Sequence, residues 1–524
     1  MSFTNPIIPG FYPDPSCIRV GDTFYLVNSS FQFFPGIPIH KSKDLVNWEH
    51  IGNALSRPSQ ISLTTATTKV NNAARGEVFT GGLYAPTLRH HKGTFYIVCT
   101  MLTGSTAMLP TDDFQPAPNF IISTRDIEDP SSWSDIIPFD FYGIDPSLFF
   151  ADDGKVYIQG SWIYGYTKHP ATVIRQAEID LSTGALLSET KDIWTGVTQK
   201  CPEGPHIYSK DGWFYLLIAE GGTHRRHKIT IARSRDVWGP YESCPANPVL
   251  TAEGSSGVIQ CAGHGDLFQD TLGQWWCVLL ARREYGGSYP LGRETFMVSV
   301  QWEEGEWPVF SNVEVEQKTA GRILASKVVN DQFTDVQLKA PRTVYLRTPE
   351  LANYSEKSAE SGREIILAPS KEDLGVATGT MTFIGQRQIA LESAAKVILP
   401  LSDESEMSKG ASYGLTVYKD TFRYATLEYH SADSTLSLKI QEAGKELTTL
   451  NRIDVRDSAS LELVISSTVE KYTFQCMKTI AGGAKEGIIL GEVPCQALSG
   501  DDFTGRSFWT RSSMQGWTVA NSDD

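Results

Sequence analysis

A phrase of roughly 60 residues recurs five times in the first three-fifths of the chain. Each copy runs from a Pro- or Gly-flanked polar position, through a few apolar residues and a Gly turn, into an aromatic-rich strand. The five strands are Thr23–Val27, Thr94–Val98, Lys155–Gln159, Trp213–Ile218 and Gln274–Leu280. Aligned on Tyr25, Tyr96, Tyr157, Tyr215 and Trp276, the copies begin 11 or 12 residues earlier, at Asp14, Ala85, Asp145, Glu203 and His264. These starting points lie 71, 60, 58 and 61 residues apart. Repetition at that period in an all-β pattern predicts radial blades of about four strands each. A closed ring brings equivalent positions together around one axis. Asp14, Asp145 and Glu203 are therefore expected to meet at the mouth of one channel.

Composition narrows the partners. With 524 residues the chain exceeds one compact core, and two domains are expected. A net charge of −15 argues against nucleic acid or an acidic membrane surface and is compatible with an uncharged substrate. No run of 18 apolar residues offers a membrane span. The start, Met1-Ser2-Phe3-Thr4-Asn5-Pro6, has neither a basic nor an apolar stretch, so a cytoplasmic protein is expected unless the chain is a mature or recombinant form. Eight cysteines show no paired spacing, which speaks against a disulfide framework and a zinc site. Cys17 and Cys201, close to the carboxylates, read as wall residues.

The repeats occupy residues 1–320. Between them a second phrase recurs, an alternating apolar strand closed by Trp, at Ile39–Trp48, Ile121–Trp133 and Ile229–Trp238. It suits a third or fourth strand whose Trp packs one blade on the next. A linker is expected at about 313–330. From 331 to 524 short alternating segments continue without the period, among them Tyr413–Tyr418, Thr421–Tyr429, Thr435–Gln441, Leu461–Ile465 and Lys471–Cys476. Such spacing predicts an antiparallel β-sandwich. No stretch is long enough for a confident helix.

Three carboxylates in one pocket suit hydrolysis of a glycosidic bond. That reaction needs one carboxyl protonated, to donate to the leaving oxygen, and another ionised, to activate water or attack the sugar. A third negative charge nearby keeps the acid protonated, and Asp145 beside Glu203 would serve so. The longer Glu203 suits the donor and the shorter Asp14 the base. An Asp-Pro-Ser phrase alone is common turn chemistry; the shared register is what points to catalysis.

The stretches Asn5–Ser16 (NPIIPGFYPDPS), Gly143–Phe150 (GIDPSLFF) and Glu203–Tyr208 (EGPHIY) resemble glycoside hydrolase family 43, in its β-xylosidase/α-L-arabinofuranosidase branch. Ser29-Ser30-Phe31, Gly81–Pro86, Gly263–Asp266, Leu291–Phe296 and Phe383–Gln388 match it as well. The resemblance implies a five-bladed β-propeller followed by a β-sandwich, and hydrolysis with inversion. It makes Asp14 the general base, Glu203 the general acid, and Asp145 the residue that tunes and orients the acid. Inversion implies Asp14 and Glu203 carboxyls about 6.5–9.5 Å apart.

The same resemblance gives Arg293 to the sugar hydroxyls, Phe31 to the face of the pentose, and Tyr84 to a substrate position often filled by Trp. It sets His264 facing the channel, where some members hold a metal ion or water. A central calcium ion would want oxygen ligands, and one His without an acidic loop does not demand it, so no cofactor is required. The expected substrates are short β-1,4-xylo-oligosaccharides cut from the non-reducing end, with arabinose-containing oligosaccharides as the alternative; a homo-oligomer is compatible with this reading. Rival readings are an arabinofuranosidase or arabinanase, a retaining fructan-cleaving type, and a non-catalytic carbohydrate-binding propeller. One departure stands out. The family closes its sandwich with an apolar strand, whereas Arg506–Asp524 is polar, so that last strand is expected to be missing or replaced.

Overall fold

Aromatic and β-branched residues in runs of five to eleven, punctuated by Gly turns, build a chain of strands with almost no helix. The computed structural model describes residues 2–72, 77–103, 118–164, 170–318, 336–359, 362–401, 410–480, 482–499 and 514–521. The chain divides into two compact units.

The first unit comprises Met1–Ile61, Phe79–Arg282 and Arg293–Asn330. It holds five antiparallel sheets that follow one another in sequence. Their leading strands are Ser16–Val20, Gly82–His91, Gly143–Phe150, Glu203–Lys210 and Ile259–Gln269. Each leading strand runs into one of the aromatic-rich strands of the repeat, and a third and fourth strand follow outward in chain order. The fourth sheet also carries the short strand Leu250–Thr251 against Lys228–Ser234. Every leading strand packs against the next, and that of the fifth sheet packs against that of the first. The strand Ser2–Thr4 pairs with Glu316–Lys318, so residues 316–318 of the expected linker return to the start of the chain. The rest of that linker, 319–330, lies outside the described residues.

The Trp-closed phrases form the third strands of sheets one, two and four. Trp133 is fully buried, and Trp238 meets Tyr157 edge-on across to the third sheet with centroids 5.5 Å apart. Both roles are packing, as the alternation suggests.

A buried polar network joins all five leading strands. Asp266 of the fifth accepts Ser16 Oγ of the first at 2.6 Å, both outer nitrogens of Arg89 of the second at 2.9 and 3.2 Å, and Tyr208 Oη of the fourth at 2.6 Å. Arg89 also meets His206 Nδ1 at 2.9 Å, and Ser147 of the third sheet reaches the same nitrogen at 3.2 Å. Burial above all holds the His206 imidazole down at about 3, so it is neutral and Nδ1 accepts. Burial pushes the Asp266 carboxyl up, but Arg89, His206 and the donated hydrogen bonds outweigh it and hold it at about 2.

The second unit comprises Ser62–Val78, Arg283–Gly292 and Asp331–Asp524. Two early segments thus join it, which no single cut near residue 320 allows. Hydrogen bonds explain their placement: Leu63 N donates to Thr348 Oγ1, Gly379 N to Thr64 O, and Tyr289 N to Ser499 O. One sheet runs in spatial order through Thr448–Asp454, Thr435–Gln441, Arg423–His430, Ala411–Asp420, Met514–Asn521, Thr382–Arg387 and Val344–Leu346. The other holds Ser393–Pro400, Ser458–Ser467, Lys471–Ile480 and Lys485–Pro494. Leu415, Leu427 and Leu438 of the first and Leu461, Leu463, Ile465 and Phe474 of the second share one apolar core.

The last strand, expected to be missing or replaced, is present. Met514–Asn521 pairs antiparallel with Thr382–Arg387 on one side and Ala411–Asp420 on the other, with Gly516 opposite Gly385 and Thr416. Its mixture of Gly, Gln, Thr and Asn with Trp and Val masks a period-two pattern. A strand paired on both sides is held by its backbone hydrogen bonds as well as by a face.

Two outcomes follow. A chain ending at Ser499 leaves two sheet edges unpaired, so its second unit should lose cooperative thermal unfolding and aggregate on purification. Arg89→Met strands the Asp266 charge and should lower stability by about 3–5 kcal/mol, read by urea titration. The double variant Arg89→Met/Asp266→Asn should recover a large part of that loss.

Candidate active site

Four of the five repeat starts share an unusual backbone. Asp14, Ala85, Asp145 and His264 have φ of 52°, 38°, 54° and 53°, the left-handed region that few side chains other than Asn and Asp visit readily. In the fourth sheet the residue in that state is Gly204, at φ 57°, and not Glu203. Strand register agrees. Asp145-Pro146, Ala85-Pro86 and Gly204-Pro205 each fall where the ladder skips, two residues opposing one of the neighbouring strand. Proline fits such a bulge because its missing N–H is not needed there.

The alignment that sets Glu203 level with Asp14 and Asp145 is therefore off by one residue. Counting back 11 or 12 positions conceals the slip. Because side chains alternate along a strand, one residue changes the direction from which Glu203 enters the site. The neighbouring sheet supplies the reason. A Cβ on Gly204 would come within 2.9 Å of His264 Nε2, so no side chain fits at that bulge.

Asp14 and Asp145 are each 5% exposed. Asp14 Oδ1 accepts Arg293 Nη1 at 3.0 Å, and Oδ2 accepts Ser29 Oγ at 2.6 Å. Ser29 Oγ in turn accepts the Ala85 N–H at 2.6 Å, tying the first sheet to the second. His264 Nδ1 stands 3.9 Å from Asp14 Oδ1. Asp145 Oδ2 accepts the Gly204 N–H at 3.2 Å, which brings it beside the residue following Glu203. Buried Arg293 lies over Phe31, 4.9 Å from its centroid, and Phe31 packs on Tyr84 at 4.5 Å. Phe31 itself has φ 52° and is fully buried; Tyr84 donates its hydroxyl to Thr80 O.

Arg293, Phe31, Tyr84 and His264 thus gather around Asp14. Glu203 and Asp145 join them through Gly204 and through mutual electrostatic influence. Burial pushes the Asp145 carboxyl up to about 6, and Asp14 adds to this, against His264, the Gly204 N–H and Arg293. Glu203 is held well above the usual carboxylate range by burial first, then by Asp145 and Asp14, with Arg293 opposing. Among the described residues no hydrogen bond reaches Glu203 Oε1. Of this pair, Glu203 keeps its proton more readily, since Asp145 has a donor to stabilise its charge.

Asp14 Oδ1, the oxygen beside His264, is already ion-paired with Arg293. Among the described residues no three His, Cys, Asp or Glu side chains converge to hold a cation. Cys201 is no nucleophile either, because burial and then Glu203 push its thiol up to about 12. None of the eight cysteines, all among the described residues, forms a disulfide.

Sequence reasoning assigned no role to three residues that shape this site. Ser29 bridges Asp14 and Ala85. Glu220 accepts Val197 N, Thr198 N and Thr198 Oγ1, clamping the turn that leads into Glu203. His227 lies just before the third strand of its sheet and faces Glu203, with Nε2 3.8 Å from Oε1. A repeat alignment on leading strands had no means to find the last two.

Comparison with known proteins adds four findings. Residues 3–308 match the family model described as glycosyl hydrolases family 43. A non-reducing end alpha-L-arabinofuranosidase from Bacteroides ovatus is 33% identical over 545 residues, covering 100% of this chain and 93% of its own length. A xylosidase/arabinosidase of Butyrivibrio fibrisolvens is 42% identical over 316 residues, covering 58% of this chain and 56% of its own. Among solved structures, a xylan beta-1,4-xylosidase from Bacillus halodurans superposes with a TM-score of 0.83 at 28% identity, covering 99% of this chain and 97% of the other.

The raised Asp145 carboxyl has a stability consequence whose sign is fixed. A folded-state value of about 6, against 3.8 for the free group, contributes stability below pH 4 that is lost as pH rises through 6. Asp145→Asn removes this dependence. It should therefore be more stable than the parent at pH 8, by up to about 3 kcal/mol, with the gain vanishing near pH 4. Thermal melts across pH check this; a gain that does not change with pH would contradict it.

Proposed function

The chain belongs to glycosyl hydrolases family 43, and from that premise we propose that it hydrolyses pentosides from non-reducing ends with inversion at the anomeric carbon. Its main substrates on this reading are β-1,4-xylo-oligosaccharides, with α-L-arabinofuranosides as a second class. The observation that carries the proposal is the unequal treatment of three carboxyls, two of them buried and that of Glu203 nearly so. Asp14 is ion-paired with Arg293, while Glu203 is held protonated by burial and by its two acidic neighbours. This is the division of labour that acid–base opening of an acetal needs.

In the proposed mechanism Asp14 draws a proton from water, which attacks the anomeric carbon from the face opposite the leaving group. Glu203 gives its proton to the departing oxygen as that bond breaks. Asp145 supplies negative charge that keeps the proton on Glu203, and its bond to the Gly204 N–H holds the acid's backbone in place. Arg293 presents a planar fork to sugar hydroxyls while balancing Asp14. Phe31 offers an apolar wall, with Tyr84 and His264 completing the surround. The five sheets are read as blades of a five-bladed propeller; the fifth leading strand packing on the first supports that reading.

A second reading makes arabinofuranoside cleavage the main activity. It is favoured by the relative from Bacteroides ovatus, which matches over the whole chain and is named for that activity. Rates on nitrophenyl β-xyloside and nitrophenyl α-arabinofuranoside rank the two readings.

Proton NMR during the first minutes of hydrolysis should show release of the α-anomer of xylose from a β-xyloside; initial β-anomer would mean retention. Glu203→Ala should lower kcat/KM on xylobiose by about 10²–10⁴-fold, and far less on a dinitrophenyl glycoside whose leaving group needs no proton. Comparable losses on both would remove Glu203 from the acid role.

A further inference from the structure

We propose that His227 is a positioning residue for the acid: its bare Nε2 receives the carboxyl O–H of Glu203 as a hydrogen bond between turnovers. The inference rests on Glu203 being the proton donor and adds a partner for that proton.

The imidazole is fully buried and its tautomer is set by geometry. Nδ1 lies 3.3 Å from the carbonyl oxygen of Cys261, which can only accept, so the ring proton sits on Nδ1. Nε2 then carries a lone pair and, among the described residues, has no hydrogen-bond partner. The group it faces is Glu203 Oε1, 3.8 Å away and likewise without a partner. At that distance the two do not yet bond; rotation of the Glu203 carboxyl closes the gap, and catalytic hydrogen bonds are often long before substrate arrives.

The ring cannot move to meet another group. Gly263 presses on it so closely that an added Cβ would stand 2.6 Å from Cγ. The backbone is tied at both ends, His227 N donating to His224 O and His227 O accepting Thr251 Oγ1. A lone pair held rigidly toward a carboxyl repels its charged form and attracts its protonated form. His227 therefore favours the same state of Glu203 as Asp145 does, by a short-range route.

Charged and titratable groups around the pair come from several elements. Asp145 and Asp14 favour the protonated acid, and Arg293 opposes them. His264, His224 and Arg293 act on His227 together with burial, the largest influence, and keep the ring neutral. The proton thus stays on Glu203 and is shared without being transferred. On substrate binding the carboxyl turns from Nε2 to the glycosidic oxygen and gives the proton there. In the same step the bond from that oxygen to the anomeric carbon breaks, and the water deprotonated by Asp14 forms the new bond there.

The test uses His227→Phe, which keeps a ring and removes the acceptor, and His227→Gln, whose side-chain oxygen can replace Nε2. Dinitrophenyl and methyl glycosides of the preferred pentose are compared, with Glu203→Ala in parallel. His227→Phe should lose about tenfold or more in kcat/KM on the methyl glycoside and less than about threefold on the dinitrophenyl one. Its alkaline limb should move to lower pH by about one unit, and His227→Gln should restore both. Equal losses on the two substrates, or an unmoved alkaline limb, would overturn the proposal. If Glu203→Ala shows no leaving-group dependence, the acid assignment itself has failed instead. Should His227→Phe not fold, ¹⁵N NMR of the parent protein decides, with the His227 signals identified by their loss in His227→Gln. A neutral ring protonated on Nδ1 from pH 5 to 9 supports the proposal, and protonation on Nε2 overturns it.

Discussion

Asp266 is a carboxylate with no exposure to solvent, and the first unit is arranged around satisfying it. A buried charge is tolerable only when donors surround it in good geometry. Here the donors come from three other sheets, as Ser16, Arg89 and Tyr208, and the chain of contacts runs on through His206 to Ser147. Each leading strand contributes to the network, so a sheet that slips in register breaks it. Ser16, Ser147, His206 and Asp266 stand two residues after Asp14, Asp145, Gly204 and His264. The pin that gathers the strands is thus built on the same few residues as the pocket, and locking one places the other.

The bulges convert that closure into chemistry. A left-handed residue followed by Pro or Gly stands in or just before the leading strand of every sheet, and in the second, third and fourth sheets the ladder skips there. Two sheets place an aspartate there, one a histidine, one an alanine. The fourth cannot place anything, because its bulge passes under His264. Glu203, the proposed acid, stands one residue earlier and carries a longer side chain. That displacement leaves Asp145 free to bond the Gly204 N–H, the backbone group that an in-register carboxylate would have carried.

Much of this was legible in the sequence because it is periodic. The repeat marks five leading strands, the Trp-closed phrases mark third strands, and alternation marks most of the second unit. What escaped was whatever depends on pairing or on space and not on period. The offset of Glu203 hides inside a one-residue tolerance and shows only in the ladder's skip. Met514–Asn521 carries no clear face because its neighbours hold it from both sides. Segments 62–78 and 283–292 belong to the second unit through hydrogen bonds to Thr348, Gly379 and Ser499, which no composition shift announces. Ser29 was visible as part of a family phrase, but its bridge from Asp14 to Ala85 was not.

Side-chain length suggested which carboxyl is the acid, yet the surroundings give a firmer reason. Among the described residues, donors fall from two on the Asp14 carboxyl to one on that of Asp145, and Oε1 of Glu203 has none. Hydrogen bonds to a carboxylate favour its charged form, and burial without them favours the neutral one. A single cation, Arg293, touches one of the three and opposes protonation of the others only at longer range. The gradient is therefore spatial. It runs from the paired, well-donated Asp14 to the dry corner where Glu203 meets the lone pair of His227. On the proposed reading, a sugar entering between those ends has its base on one side and its acid on the other.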